Sequence, residues 1–123
     1  MNRSGREILK EYWNYDTFRP MQEDIVQSVL SGKDVLALLP TGGGKSICFQ
    51  VPAMAKEGIC LVVSPLIALM KDQVQHLRSK GITAFAIFSG MTRKDVISTF
   101  TLDIPGHGTF LDVSPELLDT ALL

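Results

Sequence analysis

Three consecutive glycines followed by lysine and serine, Gly42-Gly43-Gly44-Lys45-Ser46, constrain this chain more than any other stretch. They follow an apolar run, Val35 to Leu39, that reads as a buried strand, and a segment of helical pattern opens behind them. Backbone without Cβ atoms turns sharply and lets a ligand come close. The amides of Gly42 to Lys45 can then converge on an anion at the positive end of the following helix. Lys45 adds a point charge for the outer phosphates of a nucleoside triphosphate, and the Ser46 hydroxyl suits a magnesium ion. The pattern G-x-x-x-x-G-K-[ST] is met except at its first glycine, where the chain has Leu39. A plain glycine-rich turn is the alternative, and the lysine-serine ending between strand and helix weighs against it.

A chain of 123 residues with 46% hydrophobic content fits one domain with a real core. Its net charge of −1 advertises no global attraction to nucleic acid, so any such contact must be local. Cys48 and Cys60 form no C-x-x-C pair, which excludes a thiolate zinc site. Both lie in apolar runs and read as buried reduced thiols. Without a leader or a run of eighteen apolar residues, the expectation is a soluble, cytoplasmic protein with no membrane partner.

Ile8, Leu9, Tyr12 and Trp13 share one face of a first short helix. Pro20 suits the first turn of a second, with Met21, Ile25, Val26, Val29 and Leu30 on its buried side and Gly32 as its end. Pro52 should bend or end the helix that opens at Gly44. Ile59–Val63 reads as a parallel strand covered on both faces. Ser64 and Pro65 read as the cap and first residue of a helix burying Ile67, Met70, Val74 and Leu77, which Gly81 stops. Ile82–Phe88 is a further strand. Thr92 with Asp95 opens a helix with Val96, Ile97 and Phe100 inward. After a loop around Pro105-Gly106-His107-Gly108, Phe110–Val113 makes another strand and Ser114-Pro115-Glu116 starts a last helix. Lys71, Asp72 and His76 read as solvated helix positions. Strands alternating with helices predict an α/β fold, a mainly parallel sheet flanked by helices.

Four stretches together resemble the RecQ family of DNA helicases, in helicase superfamily two. They are Tyr15-Asp16-Thr17-Phe18-Arg19-Pro20-Met21-Gln22, the Leu39–Ser46 loop, Val63–Gln73, and Val113-Ser114-Pro115-Glu116. The resemblance implies a single, incomplete RecA-like P-loop domain over 1–123, with the adenine motif in 1–33 and the P-loop core in 34–123. It assigns Tyr15, Arg19 and Gln22 to the adenine of ATP; Thr41, Gly42, Gly43, Gly44, Lys45 and Ser46 to its phosphates; Ser46 to Mg2+; and Lys45 to catalysis. Ser64, Pro65, Leu66 and Ser114 would touch DNA. These roles have physical sense: an aromatic ring stacks on a purine, and a glutamine amide matches the N6 and N7 edge of adenine. Helix starts at the carboxyl ends of parallel strands offer amides to phosphates. The alternatives are equally physical. Tyr15 and Phe18 could simply pack two helices, and serine before proline is ordinary capping chemistry.

The chain departs from the family at Leu117, where an arginine is usual, and at Asp112, where an aromatic is usual. Asp112 could also be read as an acid ending a magnesium-binding strand. The family's Asp-Glu-Ala-His motif, second motor domain, zinc and winged-helix regions have no counterpart before Leu123. The implied function is therefore the ATP-binding part of a 3′-to-5′ helicase acting on single-stranded or junction DNA in recombination and repair. The piece alone is expected to be inactive, and to self-associate through an exposed sheet edge at Val35–Leu39. Other P-loop enzymes, unstimulated by DNA, and a non-catalytic binding scaffold are the rival readings.

Overall fold

A computed structural model describes residues 4–39, 44–100 and 108–119. The chain divides into two compact units, Met1–Glu57 and Gly58–Leu123.

The first unit is helical. Helix α1 (Gly5–Ile8) is capped by the Ser4 hydroxyl, which accepts from the Glu7 amide at 3.2 Å, and runs into a π-helical segment, Leu9–Trp13. Ile8, Leu9 and Trp13 are buried together, as expected of residues on one helix face, and the wider π-turn keeps them so. Helix α2 (Gln22–Leu30) starts two residues after Pro20, because Met21 sits in the left-handed region (φ 72) outside it. Met21 is consequently exposed, and Gln22 and Val26 are buried in its stead. Helix α3 (Lys45–Ala55) opens where the glycines end, as the pattern predicts. Pro52 does not end it: the helix continues three residues further, with Pro52 buried. Its ring removes only the bond to the Cys48 carbonyl, and burial of Val51, Pro52 and Met54 outweighs that loss. Phe18 reaches toward Gly5, where Val26 and Val51 also crowd, so a side chain at position 5 would be tight.

Val35–Leu39 forms no strand. Leu36 and Leu38 are 88% and 81% exposed, and no segment among the described residues pairs with this one. A strand exists only through its neighbour's hydrogen bonds, and apolar composition alone cannot replace them.

The second unit is a three-stranded, all-parallel sheet with strand order β1-β3-β2, made of β1 (Ile59–Val63), β2 (Thr83–Ile87) and β3 (Thr109–Val113). Helix α4 (Ile67–Ser79) connects β1 to β2, and α5 (Arg93–Phe100) follows β2. Right-handed crossovers place these two helices on opposite faces. One face buries Ile87 and Val113 against Val96 of α5 and against Leu117 of a closing 3-10 turn, Pro115–Asp119. Leu117, the departure from the family's arginine, is thus a core residue. Helix α4 covers β2 and β3 with Met70, Val74 and Leu77. It ends in a Schellman motif: Gly81 (φ 80) lets the Ile82 amide reach back to the Leu77 carbonyl at 3.1 Å.

Three expectations fail here. β1 is not covered on both faces, since Ile59, Leu61 and Val63, which share one face, are about half exposed; among the described residues it is also an edge strand. Helix α4 begins at Ile67, two residues after Pro65, since the Ser64 hydroxyl accepts from the Leu66 amide (3.3 Å) and makes a tight turn first. Ile97 is 50% exposed and faces solvent, while its neighbour Val96 turns to the sheet. The Thr92 hydroxyl does cap α5, accepting from the Asp95 amide at 3.1 Å. Cys48 is buried and Cys60 half-buried, both reduced. His107 and the side chain of Phe100 lie outside the described residues.

Candidate nucleotide and nucleic-acid sites

The first site lies in the helical unit. Among its described residues Asn14 (φ 63) and Met21 (φ 72) are the left-handed non-glycine positions, and they bracket the segment Tyr15–Pro20. Such conformations persist only where the surroundings hold them, and they gather at ligand sites. Two solvent-exposed ion pairs lie around this segment. Arg6 grips Glu23 through Nε (2.7 Å) and a second nitrogen (3.0 Å), and Lys10 meets Asp16 at 3.0 Å. The Arg6 guanidinium keeps the Glu23 carboxyl below the usual carboxylate range. Within this segment Phe18 packs inward while Tyr15 is 51% exposed, which separates the two aromatics that the packing alternative treated alike.

Gln22 sits at the start of α2 and is only 2% exposed. Its Oε1 accepts from the Arg19 amide at 2.7 Å, and its Nε2 donates to the Gly44 carbonyl at 3.1 Å. The end of the glycine loop is therefore tied to the Tyr15–Gln22 segment by one side chain. Gly44 has φ 76, and a Cβ there would lie 2.2 Å from Gln22 Nε2. Lys45 is exposed and Ser46 half-buried on the first turn of α3. No side chain among the described residues caps that turn, so its amides are open to an acceptor. A glycine whose Cβ position the Gln22 amide occupies, an N-terminus that no described side chain caps on an eleven-residue helix, a cation and a hydroxyl together fit a magnesium-bound triphosphate. Thr41, Gly42 and Gly43 lie outside the described residues.

The second site is the carboxyl-terminal edge of the sheet. The Ser64 amide donates to the Val113 carbonyl (3.1 Å), and the Ser114 amide to the Ile87 carbonyl (3.2 Å), extending the ladder past the strand ends. Ser64 is half-buried, and Pro65 and Leu66 are exposed. Ser114 is buried instead. Its hydroxyl accepts from the Ser89 amide at 3.2 Å, and the Ser89 hydroxyl donates to Glu116. That bond, with the Ser114 hydroxyl and a backbone amide, holds the Glu116 carboxyl below its ordinary range. The surface of this edge thus belongs to Ser64, Pro65, Leu66 and Ser89. Asp112, far from ending its strand at the surface, is 1% exposed within it.

A family model described as "DEAD/DEAH box helicase" matches residues 19–119. The chain belongs to the DEAD/DEAH box helicase family. Within this helicase family it is 41% identical over 115 residues to the probable ATP-dependent DNA helicase RecS of Bacillus subtilis, covering 94% of this chain and 23% of that protein. It is 50% identical over 92 residues to the ATP-dependent DNA helicase RecQ of Synechocystis, covering 75% and 19%. The chain thus spans about a fifth of the length of these relatives. A solved structure, the DUF1998 helicase MrfA bound to DNA and AMPPNP, matches with a TM-score of 0.77 at 18% identity over 98% of this chain and 18% of that one. That likeness shows the fold, a partial RecA-like α/β arrangement. The helicase match begins at Arg19, so it takes in Gln22, Gly44–Ser46, Ser64–Leu66 and Ser114 but leaves Tyr15 before its start.

Two features of this helicase domain escape sequence patterns. Asn14 after a helix is a recognisable left-handed stop, but methionine carries no such signal, so the turn at Met21 is silent. Ser89 stands out only as a serine before Gly90, and its pairing with Glu116 spans 27 residues.

Proposed function

We propose that this chain is the ATP-binding part of the motor of a 3′-to-5′ DNA helicase working in recombination and repair, in the cytoplasm, on single-stranded or junction DNA. The observation that carries the reading is the Gln22–Gly44 tie, which couples the Tyr15–Gln22 segment to a lysine-bearing helix start that no described side chain caps. Names of relatives in both bacterial cases above carry ATP dependence and DNA helicase activity.

In this reading Tyr15 stacks on adenine and the Gln22 amide reads its N6 and N7 edge, with Arg19 beside them. The α3 amides hold the phosphates, Lys45 offsets charge on the transferring phosphoryl group, and Ser46 holds Mg2+. The metal supplies charge neutralisation at the phosphates when bound. Ser64, Pro65 and Leu66 contact the DNA backbone through amides and a hydroxyl, which suits a chain whose net charge is −1. Ser114 contributes from beneath by holding the Ser89 turn. Acids that position metal and water are needed for turnover, so the 123 residues by themselves are expected to bind nucleotide weakly at best, with turnover near zero.

The test is an ATPase assay on a longer version of the protein that includes the acidic motif and second motor domain. Hydrolysis of ATP, stimulated by single-stranded DNA and much weaker with GTP, is the expected result. Turnover indifferent to DNA would point to another P-loop enzyme. No nucleotide affinity at all would leave a binding scaffold.

A further inference from the structure

Side chains alternate along β3, so Asp112 shares a face with Phe110, opposite the face on which Leu111 and Val113 pack. In register its neighbours are Val62 on β1 and Ala86 on β2. The next row on that face is Cys60, Phe110 and Ala84. The carboxyl is therefore set in an apolar slot in the middle of the central strand. It is 1% exposed, and its Oδ2 has no hydrogen-bond partner. A buried carboxylate in that position, with no cation or donor at Oδ2 among the described residues, is among the more costly arrangements a fold can hold. It is not a metal centre either, because no three of His, Cys, Asp and Glu converge among the described residues.

The groups that face it are few. Cys60 is the titratable neighbour on β1, and β2 has none between Thr83 and Ile87. On α4 the charged residues Lys71, Asp72, His76 and Arg78 are all exposed. Beyond the end of β3, Glu116 is exposed and bonded to Ser89.

We propose that Asp112 is a proton-operated lock on the strand ends that carry Ser64 and Ser114. With the proton on, a neutral acid rests in the slot and the sheet closes over it. With the proton off, the carboxylate must reach water. Its flanking side chains, Val62 and Ala86, are half-buried and α4 lies over that face, so water arrives when α4 lifts from it or when β3 parts from β1 or β2 near their carboxyl ends. The two rungs at that end, Ser64 to Val113 and Ser114 to Ile87, are the ones that open first.

Burial pushes the Asp112 carboxyl up to about 6, and burial together with Asp112 pushes the Cys60 thiol up, in keeping with a slot that rejects charge. The sign follows from the unfolded value of about 3.9. Between roughly pH 4 and pH 6 the unfolded chain loses this proton first, so the closed form weakens as pH rises and carries the full penalty above that window. The consequence for nucleic acid, an edge that is stiff in acid and pliable at neutral pH, rests on the helicase reading; the lock itself does not.

The experiment is amide hydrogen exchange on the intact chain at about pH 5 and about pH 7.5, corrected for intrinsic rates, with Asp112→Asn alongside. Two units between folded and unfolded values set a ceiling of about a hundredfold on the whole loss of protection at Ser64 and Ser114, of which about tenfold falls between those two conditions. A loss of about five- to tenfold in the native chain and none in D112N is expected. Equal pH dependence in both would overturn the lock. Should D112N fail to fold, the carbon-13 titration of the native Asp112 carboxyl decides: a midpoint near 6 supports it and one near 4 refutes it. Neither readout involves nucleotide or DNA, so the lock can fail while the helicase reading stands, and the reverse.

Discussion

The side-chain amide of Gln22 donates to the carbonyl of Gly44 at 3.1 Å, a bond that spans 22 residues and joins the Tyr15–Gln22 segment to the last glycine of the loop. The contact tolerates no Cβ, since one built on Gly44 lies 2.2 Å from the donating nitrogen at a φ of 76. Gly44→Ala should therefore cost about 2–4 kcal/mol, from left-handed strain and forced displacement of Gln22 together. In a Gln22→Ala background the displacement part vanishes, and the same change should cost about 1 kcal/mol less. Urea unfolding of the four chains measures this cycle. Strict additivity would mean that the two residues are independent.

Met21 gives the opposite sign. At φ 72 a methionine holds a conformation that glycine adopts freely, and its side chain is exposed, so few contacts would be lost. Met21→Gly should stabilise the chain by about 0.5–1 kcal/mol, the strain relieved less the extra freedom of the unfolded glycine. Met21→Val, β-branched and harder to place there, should lower the melting temperature instead. A loss of stability in the glycine variant would show that the methionine side chain has a packing role.

Much of this fold was legible in the chain because its cues are local. The Gly81 stop, the Thr92 cap and the apolar run of β3 need no distant partner to be read. Val35–Leu39 misleads for the converse reason: its composition is that of a strand, but strand formation depends on a neighbour that the described residues do not provide. At the candidate sites the glycine loop, Lys45 and Ser46 follow from residue type alone. The bonds that set their geometry do not, since Gln22 to Gly44 and Ser89 to Glu116 are contacts between residues far apart in sequence. Ser114, read beside Ser64 as an equivalent helix start, differs from it only because Ser89 folds over it.

Lys45 is exposed on the first turn of α3, so removing it should leave the fold intact. In a longer version competent for turnover, Lys45→Ala should reduce ATP hydrolysis by at least about a thousandfold, about 4 kcal/mol of transition-state stabilisation. Steady-state ATPase rates with circular dichroism on both proteins test this. Turnover within tenfold of the native rate would remove lysine from the role.

Glu116 supplies a pH signature. The Ser89 hydroxyl favours its ionised form, so its folded midpoint lies below the unfolded one. The contribution is present above the unfolded value of about 4.3 and is lost as pH falls through the lower, folded midpoint. Ser89→Ala should raise the Glu116 midpoint toward that ordinary value in a carbon-13 titration. An unchanged midpoint would mean that the backbone and Ser114 hold the carboxylate by themselves.

The expected self-association has two candidate surfaces, and they can be told apart. Val35, Leu36 and Leu38 are exposed on irregular backbone, which offers sticky side chains but no regular ladder. The outer edge of β1 is unpaired among the described residues and offers both, with Ile59, Leu61 and Val63 half exposed beside it. Strand addition at β1 satisfies backbone donors and acceptors as well as covering apolar surface, so it should dominate. Leu61→Lys should shift the mass measured by light scattering toward one chain, since an edge lysine opposes strand pairing. Changing Leu36 and Leu38 to serine should alter stability by no more than about 0.5 kcal/mol and leave that mass unchanged. If the serine pair disperses the chain and L61K does not, association runs through loose apolar contact, and the edge of β1 is not the surface that drives it.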